Sequence, residues 1–328
     1  ESYMVFDHKK DKVYILEEAL YSDRSEADLA ANLELIMAEL AQPAADEFSP
    51  LELSSLNFQS HIEQAAFEKM VEDARSLIRQ GDMFQCVLSQ RFSAEYSGKP
   101  LDYYRNLRVT NPSNYLYFYD FGDYQIIGAS PESLVSVKQG QVTTNPIAGT
   151  RPRGKDERED KALAKELLAD EKEVAEHRML VDLGRNDIGK IAQNNSVEVT
   201  KYMEVEYFRY VMHLTSVVRG QLLPQLTAMD ALKSTLPAGT VSGAPKIRAM
   251  KRIYELEQEK RGIYAGAIGY LSATGDMDVA IAIRTMILKN GRAYVQAGAG
   301  IVYDSIPTNE YQETINKAKS MTKIGEMQ

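Results

Sequence analysis

Two pairs of carboxylates in this chain have a spacing that could do chemistry. Glu173 and Glu176, in Glu171-Lys172-Glu173-Val174-Ala175-Glu176-His177, lie three residues apart, as do Glu310 and Glu313 in Glu310-Tyr311-Gln312-Glu313. On a helix that spacing sets both carboxylates of a pair on one face. Two such faces could close on one hard cation. Mg2+ suits them, because it prefers oxygen ligands and usually keeps several waters. In a chain with 47 Asp and Glu residues, either pair alone reads equally well as a solvated helix face. What lies between the pairs therefore decides.

Thr235 to Lys246 is a glycine-containing turn leading into a helix. Its backbone N–H groups could hold a substrate carboxylate, or simply be a capped helix start. Gln296-Ala297-Gly298-Ala299-Gly300-Ile301 ends a strand, and its small residues would let a ligand lie against backbone or let strands pack closely. No Gly-Lys-Ser/Thr follows, so it is not a Walker loop. Arg284 is a charge within an otherwise apolar strand. Facing a site, its fork would bind a carboxylate bidentately; facing out, it would be solvated. Tyr264 could add a hydroxyl donor. His213, in an apolar stretch, is either a core residue or a proton carrier near neutral pH. Glu132 follows a strand end, as a turn carboxylate or a general acid.

The elements that must position these groups alternate in type. Residues 2–16 predict a hairpin, Ser25–Leu40 a helix, Gln42–Leu56 a linker and Ile62–Gln80 a second helix stopped by Gly81. Strands are expected over Phe84–Phe92, Tyr115–Phe121, Gln125–Ala129, Leu134–Lys138 and Gln141–Asn145, then one long helix over Arg158–Leu183. Val197–Tyr207 and His213–Gln221 read as extended. A helix spans Lys246–Glu259. Ala265–Ser272, Asp278–Lys289 and Arg292–Ile301 read as a meander, and Thr308–Ile324 as the closing helix. The fold class is α+β, with hairpins and helices in layers rather than a doubly wound sheet. We place an N-terminal region at 1–56, the remnant of a larger one since the chain starts at Glu1, and the main domain at 57–328.

Composition narrows the partners. A formal net charge of −9 argues against nucleic acid. No apolar run is long enough for a membrane span, and no signal peptide is visible, which together point to the cytoplasm. Cys86 is the only cysteine, so an intrachain disulfide is impossible. It sits in an apolar strand pattern and reads as a packing residue.

Several longer motifs carry a resemblance. They are Asn145-Pro146-Ile147-Ala148-Gly149-Thr150-Arg151-Pro152-Arg153, Asp170-Glu171-Lys172-Glu173, Leu183-Gly184-Arg185-Asn186-Asp187, Leu236-Pro237-Ala238-Gly239-Thr240 and Ala297-Gly298-Ala299-Gly300. From about residue 60 to 325 the chain resembles the chorismate-utilising enzymes, and among them the large subunit of anthranilate synthase. The resemblance implies an α/β sandwich with antiparallel-rich sheets and helices outside, binding chorismate and Mg2+ in the cleft. By position Glu176 and Glu313 match direct metal ligands, and Glu173 and Glu310 their water-linked neighbours. Tyr264 and Arg284 match donors to the enolpyruvyl carboxylate. Gly298, Ala299 and Gly300 match the cradle at the ring carboxylate, and Lys317 a further carboxylate contact. Gly149, Thr150, Thr240 and His213 match other site-lining positions, and Glu132 the acid that protonates the departing hydroxyl.

Two positions separate the family's reactions. Members that make aminodeoxychorismate carry a lysine at the place of Ala148, and members that make isochorismate or salicylate carry a lysine base at the place of Gln85. Alanine cannot form the covalent bond and glutamine cannot act as base at neutral pH, whereas ammonia needs neither. The resemblance thus implies amination at C2 followed by loss of pyruvate. With no glutaminase nucleophile in view, ammonia is expected as free ammonium or from a separate glutamine amidotransferase subunit. The family's N-terminal tryptophan-site motif is not found, although Asn111 to Leu116 resembles its other half, so tryptophan is expected to act weakly.

Overall fold

The computed structural model describes residues 1–20, 22–42, 56–208, 211–257 and 259–322. The chain divides into two compact units, Glu1–Ser49 and Pro50–Gln328. Most of the expected linker lies outside the described residues.

In the first unit β1 (Ser2–Asp7) and β2 (Lys12–Glu17) pair antiparallel. Helix α1 (Glu26–Leu40) begins at a capping box, with Ser25 and Asp28 each bonded to the other's backbone N–H. It buries no side chain.

The second unit holds two seven-stranded sheets. Its elements run β3 (Gln59–Ser60), α2 (Gln64–Arg79), β4 (Gln85–Glu95), α3 (Pro100–Thr110), β5 (Tyr115–Asp120), β6 (Tyr124–Ser130), β7 (Ser133–Lys138), β8 (Gln141–Thr144), β9 (Ile147–Pro152), α4 (Glu157–Ala169), α5 (Glu171–Gly189), β10 (Glu198–Tyr207), β11 (Val211–Gln221), α6 (Ala228–Thr235), β12 (Gly243–Ala244), α7 (Lys246–Leu256), β13 (Ala267–Leu271), β14 (Met277–Ile281), β15 (Thr285–Lys289), β16 (Arg292–Ile301) and α8 (Pro307–Thr322). One sheet has the order β12-β4-β16-β15-β6-β5, with β3 on β4. The other runs β10-β11-β8-β7-β14-β13, with β9 on β11. Every described pairing is antiparallel. The α+β class expected from the sequence is what the chain adopts.

Helices cover each sheet because strand alternation gives it one apolar face. On β16, Val295, Ala297, Ala299 and Ile301 are buried under helices, Val295 and Ala297 with Met321 of α8, Ala299 and Ile301 with Phe67 of α2 and Ile253 of α7. The second sheet packs Val135, Val142 and Val218 against Val181 and Ile188 of α5 and Ala231 of α6. Each fully buried large apolar side chain contributes about 1.5–3 kcal/mol.

Three features differ from the sequence expectations. The single helix over Arg158–Leu183 is two, because Asp170 turns its side chain back to accept the N–H groups of Lys172 and Glu173 and so caps a new helix. The run Asp278–Lys289 is not one strand of a meander. It is β14 in one sheet and β15 in the other, joined by Ala282-Ile283-Arg284, where Arg284 adopts φ +50. Helices α3 and α6 and strand β9 were not anticipated. Both helices are short: α3 buries Tyr103 and Leu107 one turn apart, too little apolar periodicity to read alone.

Candidate active site

A cavity of about 1010 Å3 gathers nearly all the chemistry-bearing residues. Both glutamate pairs line it, as do Gln85, Glu132, Ala148, Gly149, Thr150, His213, Thr240, Tyr264, Arg284, Gly298, Gly300 and Lys317.

The acidic wall comes from two helix starts. The new cap at Asp170 sets the phase of α5, so Glu173 and Glu176 point the same way. Arg151 of β9 ties that start down, bonding Asp170 at 2.8 Å and Glu166 at 2.9 Å and standing 3.6 Å from Glu173. One residue past Glu176, His177 is fully buried and shares a 2.6 Å hydrogen bond with Ser216 of β11. Burial pulls its pKa down to about 4, so it is a neutral anchor. Burial pushes the Glu173 carboxyl up, with repulsion from Glu176 and Asp170 adding. Burial likewise raises Glu310; a Ser305 hydrogen bond opposes this, and Glu313 adds repulsion. Gln85 donates to Glu176 at 3.3 Å, and Lys317 pairs with Glu313 at 2.6 Å. On α8 the residues Thr314, Ala318 and Met321 are buried, which leaves Glu310, Glu313 and Lys317 on the cavity face.

These donors fit Mg2+. They are all oxygen, burial and then repulsion between neighbours raise the pKa values of Glu173 and Glu310, and Lys317 is the one cation paired with them on α8. Among the described residues no three His, Cys, Asp or Glu groups converge to enclose an ion by themselves. Mg2+ held by one or two carboxylates, with waters and substrate oxygens, does not need such a cage.

The facing wall is built from sheet. Alternation on β16 turns Gly298 and Gly300 to the cavity. A Cβ at Gly298 would stand 2.7 Å from Tyr264 Oη and 2.9 Å from the Leu88 carbonyl, and one at Gly300 would stand 2.8 Å from Gln85 Nε2. Ala299 turns the other way, as expected of a cradle made by backbone. Its side chain is fully buried with Phe67 and Ile301 on the far face, so it can offer a ligand backbone only. Arg284 reaches the cavity from the crossing between sheets rather than from a strand. It donates to Ser320 at 2.7 Å and has no acidic partner among the described residues. Burial lowers its pKa, yet a guanidinium stays charged. Burial raises the Tyr264 hydroxyl to about 12, which keeps it a donor.

Glu132 lies in the tight connection between β6 and β7. Burial raises its carboxyl to about 7; the Thr240 hydroxyl and the Lys317 charge pull the other way. Thr240 Oγ1 stands near that carboxyl but makes no hydrogen bond among the described residues. His213 Nδ1 meets the Gly149 carbonyl at 3.1 Å and Thr150 Oγ1 at 3.0 Å. Donation to the carbonyl fixes the tautomer and leaves Nε2 as the acceptor; burial keeps the ring neutral.

The expected anion cradle at the start of α7 is not at this site. Of Thr235 to Lys246 only Thr240 and Val241 line the cavity. The Lys246 ammonium is buried and bonded to Asp187 at 2.6 Å and to the Thr235 carbonyl at 2.8 Å. The sequence reading missed Lys172, Asn114, Phe208 and Gln296 as lining residues. Lys172 had a signal, since it directly precedes Glu173.

Known proteins resemble this chain throughout. The chorismate binding enzyme family matches residues 1–323. Anthranilate synthase component 1 of Lactococcus lactis is 58% identical over 326 residues, covering 99% of this chain and 72% of that protein. Its counterpart from Aquifex aeolicus is 54% identical, covering 83% and 55%. The crystal structure of anthranilate synthase component I from Streptococcus pneumoniae superposes with a TM-score of 0.92 at 76% identity, covering 98% of this chain and 72% of that one. The menaquinone-specific isochorismate synthase of Escherichia coli, at 24% identity and a TM-score of 0.78, shares the fold. The chain thus spans between about half and three quarters of the length of these anthranilate synthase components. The sequence motifs, the two-sheet fold and the match along nearly the whole chain agree: it belongs to the family of chorismate binding enzymes.

Proposed function

We propose that this chain is the chorismate-converting part of an anthranilate synthase, a cytoplasmic lyase of tryptophan biosynthesis. It aminates chorismate at C2 with ammonia and then eliminates pyruvate to leave anthranilate. The observation that carries this reading is the pair Ala148 and Gln85 in one cavity with the four glutamates, Arg284 and Tyr264. A lysine at either of those two positions would favour a different nucleophile, as in aminodeoxychorismate synthase or in isochorismate and salicylate synthases.

The residues divide the work by charge. Arg284 and Tyr264 bind the enolpyruvyl carboxylate, and the Gly298–Gly300 backbone admits the ring carboxylate. Glu176 and Glu313, with Glu173 and Glu310 behind them, would hold Mg2+. When bound, Mg2+ supplies positive charge at the ring carboxylate and assists departure of the C4 hydroxyl. Glu132, with its pKa near 7, gives its proton to that hydroxyl, which leaves as water with the C4–O electron pair. Ammonia forms the new bond at C2, and the resulting ammonium loses a proton. In the second half His213 Nε2 is suited to take the C2 proton as the C3–O bond breaks and the enolpyruvyl group, protonated on carbon, departs as pyruvate.

Glutamine is not hydrolysed here. Burial pushes the Cys86 thiol up to about 12, so it supplies no thiolate. Ammonia therefore comes from solution or from a glutamine amidotransferase subunit. The test is an assay of the purified chain with chorismate, Mg2+ and ammonium, products identified by mass and fluorescence. Anthranilate is expected, and none when glutamine alone replaces ammonium. Aminodeoxychorismate or isochorismate as the final product would overturn the assignment.

A further inference from the structure

Behind Glu132 lies a second, smaller cavity of about 60 Å3, which shares Glu132, Leu180 and Thr240 with the main one. Its walls come from the β6–β7 connection, the end of β8, the middle of α5 and the turn after α6. Four hydroxyl-bearing residues line it, Ser133, Thr144, Thr235 and Thr240, and Thr235 spends its hydroxyl on the Ala231 carbonyl at 3.0 Å. The other three hydroxyls are buried and make no well-formed hydrogen bond among the described residues, and Thr144 has no polar group offered to it at all. Thr144 carries most of the argument: it is only 7% exposed. Ser133 also stands near the Tyr115 hydroxyl, and Thr240 near the Glu132 carboxyl.

A buried hydroxyl left without a partner costs about 1–3 kcal/mol. Three around one void is a combination that internal water resolves. One water needs roughly 10–15 Å3 of such volume, so the chamber has room for a few. Gly184 of α5 keeps that room, since a Cβ there would stand 3.1 Å from Thr144 Oγ1. Glycine inside a helix costs about 1 kcal/mol against alanine, so its presence here runs against local propensity. Asn145, Leu183 and Gly239 of its lining are only half-buried, so the chamber lies close to the surface.

We propose that this chamber holds a short file of water on Thr144, Ser133 and Thr240, and that this water returns a proton to Glu132 after each turnover. The proposal rests on Glu132 being the general acid, as read above. Each amination takes one proton from Glu132 into the departing water and releases one from the new C2 ammonium. The file passes a proton inward to the Glu132 carboxylate while the ammonium's proton leaves to solvent, so the cycle balances with no further reactant.

Three variants test this. Thr144→Val deletes the hydroxyl at nearly constant volume, Thr144→Ser restores it, and Gly184→Ala fills the chamber while favouring the helix. In a high-resolution crystal structure the wild type is expected to show ordered water bonded to Thr144 Oγ1, absent from Thr144→Val. Thr144→Val and Gly184→Ala should lower kcat about tenfold, at the low end of what general acid catalysis supplies. KM for chorismate and the melting temperature should hold, the solvent isotope effect should rise, and Thr144→Ser should recover most of the rate. A dry wild-type chamber overturns the water site. A Thr144→Val enzyme with wild-type kcat and isotope effect overturns the relay while leaving the activity reading intact. An inactive wild type removes that reading and the relay with it, but the crystallographic test of the water still stands.

Discussion

The two walls of the cavity solve opposite electrostatic problems with different architecture. The acidic wall puts Glu173 and Glu310 on the first turns of α5 and α8, where carboxylates also meet the positive end of the helix dipole, and Glu176 and Glu313 one turn further in. The facing wall sets Arg284, Tyr264 and the glycines of β16 on sheet, at a crossing and at a strand face. One wall collects like charge and leaves it under-neutralised, which suits a divalent cation. The other supplies fixed donors that keep their protons throughout: a guanidinium, and a phenol whose pKa is about 12. In the proposed function a substrate with two carboxylates would bridge them. The acidic wall should therefore govern turnover through charge, and the sheet wall should govern affinity through shape and hydrogen bonds.

Removing charge from the acidic wall should have the largest effect. Glu176→Gln and Glu313→Gln are each expected to lower kcat by about a thousandfold or more, because a site with few protein ligands loses one. Both side chains face the cavity, so the melting temperature should move by only a few degrees. EDTA should mimic the loss in the wild type. Full activity in a metal-free preparation would show that the wall serves another purpose. On the sheet wall, Arg284→Ala should instead raise KM for chorismate about a hundredfold, the loss of a charge-assisted bidentate contact worth roughly 2–3 kcal/mol. A large fall in kcat with KM unchanged would erase the proposed division between the walls.

Gly298→Ala probes shape alone. The new methyl would sit 2.7 Å from Tyr264 Oη and 2.9 Å from the Leu88 carbonyl. The tyrosine can swing aside, but backbone of the neighbouring strand β4 cannot. We expect KM to rise about tenfold and stability to fall by about 1–3 kcal/mol, as for other overpacked sites. Kinetics and a urea melt together check this. A variant matching the wild type in both would mean that β16 and β4 separate easily, and that glycine is not needed at this face.

The same contrast explains what could be read in the sequence. The acidic wall was legible because helical periodicity converts spacing directly into a shared face, and because Asp170 is an ordinary capping residue. Strand positions on β16 were also legible: alternation predicts that Gly298 and Gly300 share a face and that Ala299 between them turns away, leaving only its backbone toward a ligand. Arg284 was assigned to a strand because Ile281 to Thr285 is apolar on either side of it. The switch between sheets depends on long-range pairing of β14 with β7 and of β15 with β6, which no local pattern encodes. The cradle at the start of α7 failed for a related reason. The distant Asp187 claims the Lys246 ammonium and draws that helix start away from the cavity.

Glu132 stands between the walls, and its titration offers the smallest and most specific test. Folding raises its carboxyl from the ordinary 4.5 to about 7, mainly by burial, against the pull of Thr240 and Lys317. Between those values the folded chain holds a proton that the unfolded chain has lost. This group's stabilising contribution is therefore complete below about pH 4.5 and is lost as pH rises through 7. Glu173 and Glu310 are also raised and slope the same way, so the wild type alone cannot isolate Glu132. Glu132→Gln can, because it removes one titration and leaves the others. Relative to the wild type, the variant should gain on the order of 1–2 kcal/mol of unfolding free energy between pH 5 and pH 8, less than the full shift would give because the cavity admits water. Urea melts at the two pH values supply the number. In the wild type kcat should fall about tenfold per pH unit above 7, as the acid that protonates the departing hydroxyl is lost. Parallel stability profiles for the two proteins would place the Glu132 carboxyl in a solvated setting, ionised at neutral pH and unable to give a proton to the C4 oxygen.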